Sequence, residues 1–132
     1  MTTYATTITT AINELVTKTA KKDFSSFITL NANFTLLSKK AYVKNNRAVV
    51  QFIAIAQGET PANISHNVAT IDINYNPHWA SVQTTGCVQD GSGLYQGGLL
   101  VTARADNGAI NVSSNVALTG KHIQFTLVYD LD

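Results

Sequence analysis

The sequence predicts a mainly β protein: an antiparallel β-sandwich, jelly-roll-like, preceded by one short N-terminal α-helix. Three observations carry this. Through most of the chain after residue 23, apolar residues alternate with polar ones, the period of two that turns one face of a strand toward a core. Asn, Asp and Gly recur between these runs with no helical pattern among them, as in sandwiches and barrels. Helical spacing of apolar residues is confined to the opening stretch, ITTAINELVTKTAKKDF, residues 8–24.

In that stretch Ile8, Ile12 and Leu15 are spaced four and then three apart, which places them on one seam of a helix. The seam then meets Thr19 and Lys22, so it lasts about two turns, short of the roughly 12–15 residues an isolated helix needs. The helix therefore needs a partner, either the chain's own sheet or the same helix in two or three copies. Residues 1–23 are accordingly read as a helix serving as an oligomerisation stalk, and 24–132 as the sandwich head. A length of 132 residues suits one such head, since single domains run to roughly 100–200 residues.

FTLLSKKAYVK and RAVVQFIAIAQ flank Asn45 and Asn46, a hairpin signal because Asn tolerates positive φ. The second arm is apolar on both faces, with Val50, Phe52 and Ala54 on one and Val49, Ile53 and Ile55 on the other. Such a strand needs cover on both sides. ATIDINY, 69–75, predicts a half-exposed strand with Ala69, Ile71, Ile73 and Tyr75 inward. The connection from Asn76 to Gly98 is long and irregular, with a further strand read around Val82–Val88. GLLVTARADNGAINVSS is a hairpin about Asp106-Asn107-Gly108. The closing HIQFTLVYDL sets Ile123, Phe125, Leu127, Tyr129 and Leu131 on one face.

Charged residues are 13% of the chain, against about 25% in an average soluble protein. Thr, Asn, Ser and Gln take their place, which suits strand faces and surfaces packed against copies of the same chain. A net charge of +1 argues against a nucleic-acid partner, whose phosphates need clustered cations. The one basic run, Lys18, Lys21 and Lys22, reads as a solvated helix face. No apolar run approaches the roughly 20 residues that span a bilayer, and the N-terminus lacks the order of a secretory signal. The expectation is a soluble product of cytoplasmic synthesis with no membrane insertion.

Chemistry is sparsely signalled. Cys87, the single cysteine, excludes an intrachain disulfide and reads as a buried structural thiol. His66, His78 and His122 are scattered, without the i, i+4 spacing of a helical metal site. DGSGLYQGG, 90–98, lacks the Lys of a phosphate loop and reads as a strand connection. No nucleophile, carboxylate pair or ligand cluster is evident, so no enzyme, cofactor or metal is expected. What remains is recognition. YNPHW, 75–79, crowds Tyr75, His78 and Trp79 at a strand end, combining a flat apolar face with hydrogen-bonding neighbours as a sugar requires. The other reading makes Tyr75 and Trp79 a plug for the end of the sandwich. Gln83, Asp90, Tyr95 and Arg104 join the ligand set if the loop folds back.

The order of these features resembles the receptor-binding, baseplate and tail-fibre head proteins of tailed bacteriophages that infect Gram-positive bacteria. TTAINELVTK, 9–18, resembles the helix that precedes their β-rich heads. AYVKNNRAVVQF matches a hairpin of that head, INYNPHW its Tyr-x-Pro step, NGAINV a late hairpin and IQFTLVYDL its closing strand. Asn74 stands where the pattern has Gly before Tyr-x-Pro. The resemblance implies a homotrimeric virion protein that binds host cell-wall saccharide and other virion proteins, with the helix joining three heads. The alternative it leaves is a structural virion subunit, such as a baseplate, head-fibre or decoration protein.

Overall fold

In a computed structural model, residues 7–13 and 20–131 are described. Residues 7–13 are helical and all exposed. Ile8 and Ile12, 45% and 55% exposed, are thus left uncovered by the described part of the chain's own sheet; Leu15 lies outside the described residues. The sheet begins with β1 (Lys22–Asp23), paired to Val43 and Tyr42. A 3-10 turn (Ser25–Phe27) and β2 (Ile28–Leu30) follow. Then come β3 (Phe34–Lys44), β4 (Arg47–Ala56), β5 (His66–Ile71), β6 (Val82–Gln89), β7 (Tyr95–Ala103), β8 (Ala109–Ser113) and β9 (His122–Asp130).

Among the described residues these nine strands form one antiparallel sheet, in the order β1-β3-β4-β9-β6-β7-β8-β5-β2. The half around β4 and β9 joins the half around β7 and β8 through the pairing of Cys87–Gln89 with Gln124–His122. Gly86 allows this junction, since a Cβ there would run into the Gln124 carbonyl oxygen. Alternation fills the core as expected. Ile123, Phe125, Leu127 and Tyr129 of β9 are buried, and so are Ala48, Val50, Phe52 and Ala54 of β4. Phe52 and Phe125, cross-strand partners, stack at 5.4 Å between ring centroids. Val68, Ile71, Val101, Ile110 and Val112 of the other half are buried in the same core. On the outer face of β4, Val49, Ile53 and Ile55 are half-buried.

Turn chemistry agrees with the sequence at both hairpins. Asn45 and Asn46 take φ of 53° and 62°, the pair of left-handed residues that matches the twist of two-residue hairpins. Gly108 takes φ of 72° in the β7–β8 turn. Asp90 closes β6–β7, its Oδ1 accepting the N–H groups of Ser92 (2.8 Å) and Leu94 (3.0 Å). The Gly-rich segment is therefore a turn between β6 and β7 followed by the start of β7, a strand connection as read.

Three expectations are corrected. The strand predicted over 69–75 ends at Ile71, because Asp72 winds the chain into a turn. Its Oδ1 accepts the Asn74 N–H at 3.0 Å, and its carbonyl accepts those of Tyr75 (2.9 Å) and Asn76 (3.1 Å), an Asx-type local bond that competes with the ladder. Ile73, expected inward, is 76% exposed. Lys18 lies outside the described residues, and Lys21 and Lys22 do not form a helix face: Lys22 lies in β1, and their Nζ atoms sit 4.1 Å and 5.7 Å from the ring centroids of Tyr42 and Tyr75. Cys87 is half-buried rather than buried, since it is the neighbour of buried Val88 along β6 and so faces the other side of the sheet.

Candidate functional site

The loop between β5 and β6, residues 72–81, has a fixed base and an exposed tip. Tyr75 is half-buried, its ring stacked on Phe24 at 4.7 Å and tilted against Phe27 at 5.1 Å. Its carbonyl accepts the Tyr129 hydroxyl at 2.5 Å. Asn76, 2% exposed, donates from Nδ2 to the Ala105 carbonyl at 3.0 Å, while its Oδ1 has no partner among the described residues. Pro77 is buried beside it. Ser81 Oγ accepts the Ala105 N–H at 3.1 Å. These contacts tie the loop to β9 and to the β7–β8 turn.

From that base His78 and Trp79 stand out in solvent. Trp79 is 82% exposed, and His78 Nε2 lies 3.3 Å from the Ile73 carbonyl. Beneath them is a cavity of about 260 Å³, lined among others by Pro77, Trp79, Ser81, Tyr129 and Asp130. Asp130 also lines a neighbouring cavity of about 410 Å³ with Tyr42, Lys44, Asn45, Arg47 and Val49. Arg47 Nε meets Asp130 Oδ1 at 3.4 Å. One end of the sheet thus combines a free indole face, a carboxylate, two cationic side chains and an Asn turn, a set able to stack on an apolar ring face and to hydrogen-bond hydroxyls. Burial pushes the Tyr129 phenol above its ordinary value, so it stays a hydrogen-bond donor.

The strand order separates the candidate ligand residues. Val82 follows the Trp79 loop, so Gln83, exposed and paired with Thr102, lies near it. Arg104, just past the end of β7, shares this end, its Nε and Nη2 donating to Asp106 at 2.9 Å and 2.7 Å. Those bonds hold the Asp106 carboxyl below the usual range. Asp90 and Tyr95 stand at the far end of the β6–β7 hairpin, roughly 25 Å away at about 3.3 Å per residue. The structure therefore brings Tyr75, His78, Trp79, Gln83 and Arg104 toward one end and leaves Asp90 and Tyr95 at the other. Arg47 and Asp130 were not among the residues singled out; their only sequence signal was the charge of each, because the β4–β9 register that joins them spans 83 positions. Among the described residues no group of three His, Cys, Asp or Glu is placed to hold a metal ion.

No family model matches the chain, and no curated protein does. Solved structures match its fold. The head domain of lactococcal phage bIL170, described among the receptor-binding domains of lactococcal phages, aligns with a TM-score of 0.69 and 15% identity over 86% of this chain and 100% of its own. The receptor-binding protein of Listeria phage PSA aligns with a TM-score of 0.66 and 12% identity, over 97% of this chain and 75% of its own. The chain shares the fold of these receptor-binding heads, and the likeness read from its motifs points to the same group.

Proposed function

We propose, on the premise of that shared fold, that the chain is the adhesion module of a phage virion: a homotrimeric receptor-binding protein or fibre head that grips saccharide on the host cell surface. The observation that carries this is Trp79. A large apolar side chain gains on the order of 1.5–3 kcal/mol from burial, yet here a rigid base holds the Trp79 ring 82% exposed, beside His78 and above a cavity bounded by Asp130. An indole face offers a sugar ring its apolar surface, and Asp130, Arg47 and His78 supply directional partners for hydroxyl groups. The role is binding without a catalytic step or a cofactor.

Trimerisation follows from the opposite end of the sequence. Ile8 and Ile12, one turn apart on residues 7–13, are exposed, and an apolar seam of about two turns is stable only against a partner. Three copies raise the avidity of weak single contacts by about 10²–10⁴. The second reading is a structural virion subunit, made in the host cytoplasm and built into the particle without ligand. It is favoured by the outer row Tyr42, Val49 and Val128, where Val128 is 47% exposed and offers an assembly surface to other virion proteins.

Labelled protein applied to Gram-positive cells and to a glycan array separates the two. The adhesion reading expects saturable binding that Trp79→Ala abolishes while the mass in solution remains that of a trimer. A trimer that binds neither cells nor glycans leaves only the structural subunit, and a monomer removes the trimeric stalk.

A further inference from the structure

A glycine inside a strand forfeits backbone entropy and a packed side chain, and usually marks a place where something must approach closely. β7 carries two in succession. At Gly97 the reason is internal, since a Cβ there would press on Val116 at 3.2 Å. At Gly98 the described residues supply no such reason. Its φ is not left-handed, and the nearest atom to an added Cβ is the Tyr95 hydroxyl, at 3.9 Å.

The missing side chain opens a groove of about 590 Å³ on the outer face of β6, β7 and β8. Leu100, 45% exposed, gives it an apolar surface, flanked by its ladder partners Thr85 and Ser113. Asn63 and Asn115 complete the polar boundary, and among the described residues no charged side chain lines it. The boundary is fixed rather than loose: Ser114 Oγ donates to the Gly98 carbonyl at 2.6 Å, and the Ser114 carbonyl accepts the Asn63 N–H at 2.7 Å. Asn63 takes φ of 63°, a left-handed turn conformation that Asn adopts at low cost. Tyr95, 70% exposed, stands over the Gly98 end.

We infer that this groove is a second saccharide site, distinct from the Trp79 end, and that it takes an uncharged sugar residue. The apolar face of the sugar rests on Leu100 and the bare backbone of Gly98. Its hydroxyls are met by the hydroxyls of Thr85 and Ser113 and the carboxamides of Asn63 and Asn115. An acidic sugar is disfavoured, because a carboxylate entering here finds no cation among the described residues to offset its desolvation. Thr85 is three residues along β6 from Val82, about 10 Å, so the two sites suit separate residues of one polymer. That biological use rests on the receptor-binding reading; the groove itself does not.

The test is a titration of the isotope-labelled full chain with glucose, N-acetylglucosamine and rhamnose in turn, followed at the backbone amides. At least one sugar is expected to shift Thr85, Gly98, Leu100 and Ser113 saturably below about 100 mM, far above a millimolar dissociation constant. Gly98→Leu, which has room to fold, is expected to weaken this binding more than tenfold, and Leu100→Gln serves the same purpose if Gly98→Leu misfolds. Trp79→Ala is expected to leave the shifts in place. Absence of saturable shifts at these amides with all three sugars overturns the proposal, as does binding unchanged in both groove variants. Host-cell binding lost in Trp79→Ala with the groove shifts intact shows the two sites to be independent, so either can fail alone.

Discussion

The hydroxyl of Tyr129 donates to the carbonyl of Tyr75 at 2.5 Å, tying the last strand to the base of the loop that displays Trp79. Both ends of this bond have further anchors: Tyr129 is buried in the core, and the ring of Tyr75 is stacked on Phe24. The position of the indole is thus set by the hydrophobic core and not by the loop alone.

Tyr129→Phe keeps the ring and removes the bond, so a loss of about 1 kcal/mol is expected in denaturant unfolding. The wild-type phenol also gives a pH signature. Its folded pKa is raised above 10.0 by burial, so its contribution is present in full below the unfolded value and is lost as pH rises beyond it. Stability of the wild type should fall more steeply above pH 10 than that of Tyr129→Phe, as unfolding across an alkaline series will show.

Gly108→Ala tests the turn that supports the same loop. The residue has φ of 72°, and a Cβ there would meet the Ile71 carbonyl oxygen inside contact distance. A loss of about 2 kcal/mol or more is expected from the strained backbone together with the clash. Thermal unfolding measures it; a melting point equal to wild type would mean the turn relaxes freely.

Asp106 should titrate below 3.8, chiefly because Arg104 hydrogen-bonds its carboxylate. A depressed carboxyl favours the folded state above its unfolded pKa, and that contribution is lost as pH falls through the folded value. Arg104→Gln is expected to move the titration of Asp106 back up toward 3.8, read from its side-chain carboxyl carbon by NMR. No movement would show that the pair does not form in solution.

Ile12→Asp places a charge on the exposed helical seam, where Ile12 is 55% exposed. If the seam joins subunits, the variant sediments as a monomer. The residue is exposed in the monomer, so unfolding of the head should change by no more than about 0.5 kcal/mol.

Much of the fold was legible because its signals are local. β3 coincides with FTLLSKKAYVK, the Asn45-Asn46 turn was readable from residue type, and β9 buries the alternate residues its period demands. The candidate site was legible in part: YNPHW marked the loop, and Trp79 is its exposed tip. Ile73 was misread because period two continues through it, while the carboxylate of Asp72 breaks the strand by bonding its own backbone.

By itself the sequence determined where the β3–β4 and β7–β8 hairpins and the closing strand lie, since alternation and left-handed turn residues act over a few neighbours. Only the tertiary structure decided which strands adjoin. That order set Arg47 against Asp130, parted Tyr95 from Trp79 along the β6–β7 hairpin, and put Gly98 beside Thr85 and Ser113 in one groove. Such neighbours are chosen when distant strands bury their apolar faces in a common core, a selection made by the whole chain at once and by no segment of it.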